Sequence, residues 1–304
     1  MSLKSNDGPN VDFKSGFVSI IGAPNAGKST LLNRMLGQKI SITSKKPQTT
    51  RNKIIGVVHR SAAQLVFIDT PGVHLAQDLL NTRIVAVALS TLADVDLVIV
   101  ILDVAHPDPS SEGLMVKNIK PHKRPVILAL NKIDLIEKPK LLTIIDSWAS
   151  VYPFDEIIPI SAKTGAQVEE LIQTMTSLLP KGPPFYPADA ITDLPQRFIA
   201  AEIIREKVFR LTGQEIPYST AVTVDSYAAV KNGALVRIQA TIHLERESQK
   251  GIIIGKKGSK LKSIGETARK DIEQMVGTQV FLKIFVRVQK NWSKDTRALK
   301  KFGY

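Results

Sequence analysis

The 304-residue sequence contains no cysteine. That excludes disulfides and thiolate metal sites, and it makes a reducing cytosol the expected setting. Its five histidines (His59, His74, His106, His122, His243) fall at no ligand spacing, so no structural metal is expected. Long hydrophobic runs are also missing. The most apolar stretch, residues 97–102, ends in Asp103 and is too short to cross a bilayer, so it reads as a buried parallel strand. Residues 1–8 hold no apolar signal core and read as a disordered tail. Acidic residues are scarce in one half only. Residues 196–304 carry 21 basic and 10 acidic side chains, which leaves 20 and 18 for the first 195 and gives a net charge of +13 overall. A nearly neutral first part followed by a strongly basic second one points to a polyanion partner for the second.

One motif is complete. Gly22-Ala23-Pro24-Asn25-Ala26-Gly27-Lys28-Ser29 is a G-x-x-x-x-G-K-S loop between an apolar run at 17–21 and a helical pattern beginning at Ser29. Glycines at its ends let successive N–H groups point at one anion. Lys28 offers positive charge to β- and γ-phosphates, Ser29 a hydroxyl to Mg²⁺, and the helix start its positive dipole end.

Further motifs follow in a telling order. Asp69-Thr70-Pro71-Gly72 closes a strand, placing a carboxylate for Mg²⁺ and a mobile Gly72 N–H for a γ-phosphate. Asn131-Lys132-Ile133-Asp134 follows another. A carboxylate at Asp134 accepts from the ring N–H and the exocyclic amine of guanine together, a donor pair that adenine lacks. Asn131 is expected to brace the phosphate loop and the stem of Lys132 to cover the base. Ser161-Ala162-Lys163 is placed to offer a backbone N–H to the guanine carbonyl. The ligand expected is GTP or GDP, not ATP. Between these motifs, Lys46-Pro47-Gln48-Thr49-Thr50-Arg51 supplies a threonine, Thr49 or Thr50, to complete the Mg²⁺ shell when the γ-phosphate is present.

Strand candidates at 18–21, 64–68, 97–102, 126–130 and 157–160 alternate with helical patterns, predicting an α/β, doubly wound, mostly parallel sheet with its binding loops at the strands' carboxyl ends. The proline-dense stretch Pro180-Lys181-Gly182-Pro183-Pro184-Phe185-Tyr186-Pro187 reads as a semi-rigid spacer. Beyond it the predicted order is α-β-β-α-α-β: a helix at 197–211, strands at 221–230 and 235–244, two helical segments around Gly255, and a strand at 280–288. The divisions expected are a tail to residue 15, a nucleotide domain at 16–180, a linker at 181–196, an α+β domain at 197–290 and a basic, aromatic tail at 291–304. In the second domain Gly255-Lys256-Lys257-Gly258 is a G-x-x-G loop whose lysines meet phosphates, and Lys260 and Lys262 follow on the next helix. Ile252, Ile253, Ile254 and Ile264 are candidates to line a groove for unstacked bases. Trp292, among the tail's cations, is a candidate for stacking on bases or for packing, and the tail also suits an anionic membrane surface.

The ordered set G-x-P-N-x-G-K-S, Q-T-T-R, D-T-P-G, N-K-x-D and S-A-K resembles the Era-type branch of the translation-factor-related GTPases, a family of P-loop fold. The I-I-G-K-K-G wording with its element order resembles a KH domain of type II topology. The two together resemble the Era family from residue 16 to the end. Val73 stands where Ras-like relatives carry a water-orienting glutamine. The resemblance instead implies K⁺-stimulated hydrolysis, with Asn25 as the K⁺ ligand and Lys28, Thr49, Thr50 and Gly72 as the other catalytic positions. It further implies a monomer that binds the single-stranded 3′ end of 16S ribosomal RNA rather than DNA and matures the 30S subunit. It implies a cytoplasmic location with weak peripheral attachment to the inner membrane. The competing expectation is a GTP-dependent adaptor with negligible catalysis.

Overall fold

The computed structural model describes residues 12–43, 54–70, 72, 82, 85–86, 89–121, 123–213, 216, 220–230 and 232–302. They form two compact units: residues 1–38, 53–75 and 87–193 in the first, and 39–52, 76–86 and 194–304 in the second.

The first unit is built on a six-stranded sheet. Its strands are β1 (Lys14–Gly22), β2 (Ile54–Arg60), β3 (Ala63–Asp69), β4 (Leu97–Asp103), β5 (Val126–Asn131) and β6 (Glu156–Ile160), in the order β2-β3-β1-β4-β5-β6. All neighbours are parallel except β2, which pairs antiparallel with β3. β3 and β5 are buried along their whole length and β4 along nearly all of it, which is why apolar residues dominate all three and β4 reads as an unbroken Val/Ile/Leu run up to Asp103. Helices α1 (Lys28–Leu36), α2 (Pro109–Ile119), α3 (Lys138–Ala149) and α4 (Val168–Leu178) belong to the same unit. Because β1 sits between β3 and β4, the strand order reverses at β1, and a doubly wound sheet opens its ligand crevice at such a point.

The second unit follows the predicted order. Helix α5 (Gln196–Leu211) leads into β7 (Ala221–Val230) and β8 (Leu235–Leu244), then α6 (Glu247–Ile254), α7 (Ser259–Val276) and β9 (Gln279–Val288). β7 and β8 pair antiparallel, β8 and β9 parallel. One face of this sheet, carrying Val236, Ile238, Ala240, Ile242 and Val280, packs in one core with Ile204 and Val208 of α5 and Ile264, Ala268 and Ile272 of α7. Lys39 pairs with Glu206 of α5 at 3.0 Å and with Asp271 of α7 at 2.7 Å inside this unit.

Four expectations are corrected. The tail expected to residue 15 is shorter, because Lys14 and Ser15 already pair with Ala63 and Gln64. The division is also not linear, since the described residues 39–43, 82 and 85–86 group with the second unit. Residues 181–193 do not hang as a spacer. The Gln64 carboxamide accepts the N–H groups of Phe185 and Tyr186 at 2.7 and 3.0 Å and donates to the Tyr186 carbonyl, while the Thr192 hydroxyl donates to the Ile55 carbonyl at 2.6 Å. Proline supplies no N–H, but the residues between the prolines do, and these fasten the segment to the sheet edge.

Trp292 is not a stacking residue. It is fully buried with Ala221, Ala298, Leu299 and Phe302, its ring meeting that of Phe302 edge-on at 5.2 Å. The short helix α8 (Thr296–Lys301) folds back over the end of β8, where Phe302 lies 4.5 Å from the His243 ring. Composition cannot separate an aromatic anchor from an aromatic platform; hydrophobic partners six to ten residues on decide it here. Replacing Trp292 by Ala is expected to cost about 3–5 kcal/mol in urea unfolding and to leave nucleotide affinity unchanged. An exposed stacking tryptophan would give near-neutral stability instead.

Candidate functional site

The phosphate loop leaves β1 at Gly22 and enters α1 through Gly27, which has φ +107°. A Cβ at Gly27 would lie 2.1 Å from the Asn131 carboxamide nitrogen, so only glycine permits both this backbone and this neighbour. Lys28 is buried, and its ammonium donates to the carbonyls of Gly22 and Ala23 at 2.9 and 2.8 Å, folding the loop around its own side chain. Burial lowers the Lys28 pKa to about 8, with the Asp69 carboxylate opposing. The Ser29 hydroxyl donates to Asp69 at 3.0 Å, and both are buried. These are hard oxygen donors on one side of the loop. Mg²⁺ takes one or two carboxylates together with hydroxyl, water and phosphate oxygens, so the residues fit such an ion. Thr70 donates to the Ile20 carbonyl at 2.7 Å, fixing the end of β3 against β1. Pro24 lies against Gly72, which brings the D-x-x-G segment onto the phosphate loop. Ala23 and Ala26 are buried and Asn25 is exposed with φ +64°.

The guanine motifs converge through Asn131. Its carboxamide donates to the Ala26 carbonyl at 2.7 Å and accepts the Ala162 N–H at 2.9 Å, bracing the phosphate loop as expected and holding the S-A-K loop as well. The Ser161 hydroxyl donates to Asp134 at 2.7 Å and also accepts from the Thr164 N–H, which orients the carboxylate. Lys132 adopts φ +69° and its ammonium pairs with Asp103, while Lys163 is exposed. Thr49, Thr50, Pro71 and Val73 lie outside the described residues.

Two contributors were missed. Asp103 ends β4 beside Asn131 in register, accepts from the Ala105 and His106 N–H groups, and sets the direction of Lys132. Arg34 of α1 donates to the carbonyls of Ala162 and Lys163. Asp103 was legible as a carboxylate ending the central apolar strand, the same place Asp69 holds on β3. Arg34 left no signal, because its partners are backbone atoms.

In the second unit Gly255 has φ +71°, and a Cβ there would press on the Lys260 backbone; Lys256 and Lys257 are exposed at the turn. Beside this loop a groove of about 460 Å³ runs between α7 and β9, lined by Gly258, Leu261, Lys262, Gly265, Val280 and Ile284 among others. Lys262 of α7 thus lines this groove. Ile253 and Ile264 are not in the groove but in the core, fully buried, while Ile252 is exposed and Ile254 half-buried. The apolar wall comes from Leu261 and β9 instead, since a helix of eight residues turns only one face to any groove.

A family model described as a 50S ribosome-binding GTPase matches residues 17–132, and a KH-domain model matches residues 215–293. Proteins described as GTPase Era are similar over almost the whole chain. That of Geotalea uraniireducens is 54% identical over 292 residues, covering 96% of this chain and 98% of its own. That of Syntrophus aciditrophicus is 48% identical over 304 residues, covering 100% and 99%. The chain belongs to the Era family. It is a GTPase, converting GTP and water to GDP and phosphate. Two solved Era structures superimpose with a TM-score of 0.92 at 41% identity, each covering 96% of this chain and 99% of the other. One is an Aquifex aeolicus Era variant bound to GDP and AlF4⁻; the other is an Era complex with MgGDPNP and nucleotides 1506–1542 of 16S ribosomal RNA. Among the described residues, no helix is long and apolar enough to cross a membrane.

The lowered Lys28 pKa makes nucleotide binding proton-linked. A triphosphate favours the ammonium and so raises its pKa, which means that binding takes up a proton wherever free Lys28 is neutral. Affinity is expected to fall as pH rises above about 8 and to be flat, for this group, well below it. Calorimetry in buffers of different ionisation enthalpy should show uptake of about three-quarters of a proton per nucleotide at pH 8.5 and about a tenth at pH 7. No uptake at pH 8.5 would contradict the burial argument.

Proposed function

We propose that the protein is a GTP-hydrolysing switch that binds the single-stranded 3′ end of 16S ribosomal RNA and acts in assembly of the 30S subunit. The observation that carries this is the presence, in one chain, of a guanine-nucleotide site and a G-x-x-G loop beside an open groove, together with 41% identity to the Era complexed with MgGDPNP and 16S RNA nucleotides. The partner is RNA rather than DNA, and the working form is a cytoplasmic monomer. Peripheral attachment to the inner membrane belongs to the same reading and rests on the basic residues of the tail, not on the buried Trp292.

In this reading Lys28 and the loop N–H groups hold the β- and γ-phosphates. Ser29 and Asp69, joined by Thr49 or Thr50, hold Mg²⁺, which supplies positive charge between those phosphates. Asn25 helps to hold K⁺, and the Gly72 N–H reads the γ-phosphate. GTP orders the loops at 48–51 and at Gly72, and that ordering changes the RNA affinity of the second unit. Single-turnover hydrolysis should be slow, accelerate with K⁺ over Na⁺, and accelerate again with an oligonucleotide of the 16S 3′ end. The variant Asn25→Ala should lose the K⁺ response and keep nucleotide binding. Negligible turnover that ignores both K⁺ and RNA would favour the adaptor instead.

Base choice gives a separate check. In Asp134→Asn the carboxamide oxygen still accepts from the ring N–H, but its NH₂ now faces the exocyclic amine of guanine, donor against donor. Xanthine carries a carbonyl at that position and restores the pair. The variant should weaken GTP binding on the order of a hundredfold or more and favour xanthosine triphosphate. Unchanged preference for GTP would remove Asp134 from base recognition.

A further inference from the structure

The sheet of the second unit has two faces, and only one is absorbed by the core. Side chains of β8 and β9 alternate, so Arg237, Gln239, Thr241 and His243 share the outer face with Phe281, Lys283, Phe285 and Arg287. The parallel register sets Arg237 beside Phe281, Gln239 beside Lys283 and Thr241 beside Phe285. Helix α8 and Phe302 cover the His243 end. The remainder lies open among the described residues, with Phe281 at 57% and Phe285 at 43% exposure. Two large exposed phenylalanines on one strand are costly in water and mark a surface that meets a partner.

We propose that this outer face is a second single-stranded nucleic-acid platform that begins at Phe281, itself part of the lining of the groove beside the G-x-x-G loop, and on which bases stack on Phe285 and Phe281 while Arg237, Lys283 and Arg287 meet the phosphates. Charge selects this occupant. Neither β8 nor β9 contains an acidic residue, and Arg237, Lys283 and Arg287 are all exposed. Asp225 of the neighbouring β7 accepts the hydroxyls of Thr223 and Thr241, which ties its carboxylate to the sheet. A second copy of the chain would set cations against cations. A single strand brings both π-faces and negative charge. Lys283 holds its ammonium over the Phe285 ring, 4.9 Å from the centroid, so a base stacking on that face would displace the ammonium toward its own phosphate. Phe281 and Phe285 are four residues apart, about 13 Å along the strand, a spacing that an extended strand of a few nucleotides covers. The platform lengthens the RNA footprint beyond the roughly four nucleotides that a G-x-x-G groove clamps.

This inference rests on the RNA-binding reading, and its test separates the two. The full chain with bound GTP analogue is titrated by fluorescence anisotropy against labelled single-stranded RNAs of six and twenty nucleotides ending in the 16S 3′ sequence, and against vesicles of 30% anionic lipid. The double variant Phe285→Ala/Lys283→Gln spares every residue that lines the groove. It should bind the hexamer like the parent and the 20-mer about tenfold more weakly, with a shallower salt dependence on the 20-mer. Arg237→Gln, which removes a charge and leaves both phenylalanines in place, should reduce the same salt slope by about one counterion. Equal affinity of parent and double variant for the 20-mer overturns the platform and leaves RNA binding by the groove intact. Equal losses on both RNAs overturn it as well, since the change would then reach the groove. Loss of vesicle binding with RNA binding unchanged assigns the face to lipid. Failure of the parent to bind either RNA overturns the RNA reading itself.

Discussion

The Asn131 carboxamide holds the nucleotide site together. One buried side chain closes two hydrogen bonds to backbone groups of different loops, the Ala26 carbonyl and the Ala162 N–H. Through the first it sets the curvature of the phosphate loop, and through the second the position of the Ser161–Lys163 loop. The spacing of these two loops is thus fixed by one planar group on the central sheet. Removing it would leave two buried backbone groups without partners, at about 1–3 kcal/mol each. It would also uncouple the two halves of ligand recognition, and Gly27 exists to leave room for it.

Around that brace, charge is placed by burial. Lys28 is held against two carbonyls before any phosphate arrives, which keeps it from collapsing onto Asp69. The site therefore stores a cation in a low-dielectric setting that raises the value of an incoming anion. Asp134 is handled by the opposite means. Its carboxylate stays partly open and is aimed by the Ser161 hydroxyl, so that its second oxygen is directed by geometry and not by desolvation.

What could be read from the sequence was whatever lies on consecutive residues or repeats with a period. The phosphate loop, the strand-end motifs and the strands 221–230 and 235–244 were legible because local backbone chemistry and alternation dictate them. β2 was not, since its residues 54–60 pair antiparallel at the edge of an otherwise parallel sheet. The fastening of residues 181–193 depends on Gln64, more than a hundred residues away, and the buried side of Trp292 depends on Phe302 and Ala221. Partners set by tertiary contact leave no trace in spacing. The same holds for Phe281 and Phe285: their alternation marked a strand, but which face the helices would cover was decided by α5 and α7.

That last point explains how a net charge becomes a surface. Four of the ten acids of the basic half are engaged inside the unit. Glu202 pairs with the buried Arg205, Glu206 with Lys39, Lys207 and Arg210, Asp271 with Lys39 and Lys207, and Glu245 accepts from Ser293. Pairing of this kind brings little net stability, because desolvation offsets attraction. Its effect on the exterior is larger. Acids tied to interior cations contribute little to the field outside, so the cations at the G-x-x-G turn and on the outer sheet face dominate it. A count of charges along the chain shows only the excess. Sorting them by depth shows exposed cations at the G-x-x-G turn (Lys256, Lys257) and on the outer sheet face (Arg237, Lys283, Arg287), beside open backbone and rings, a combination suited to a polyanion with unstacked bases.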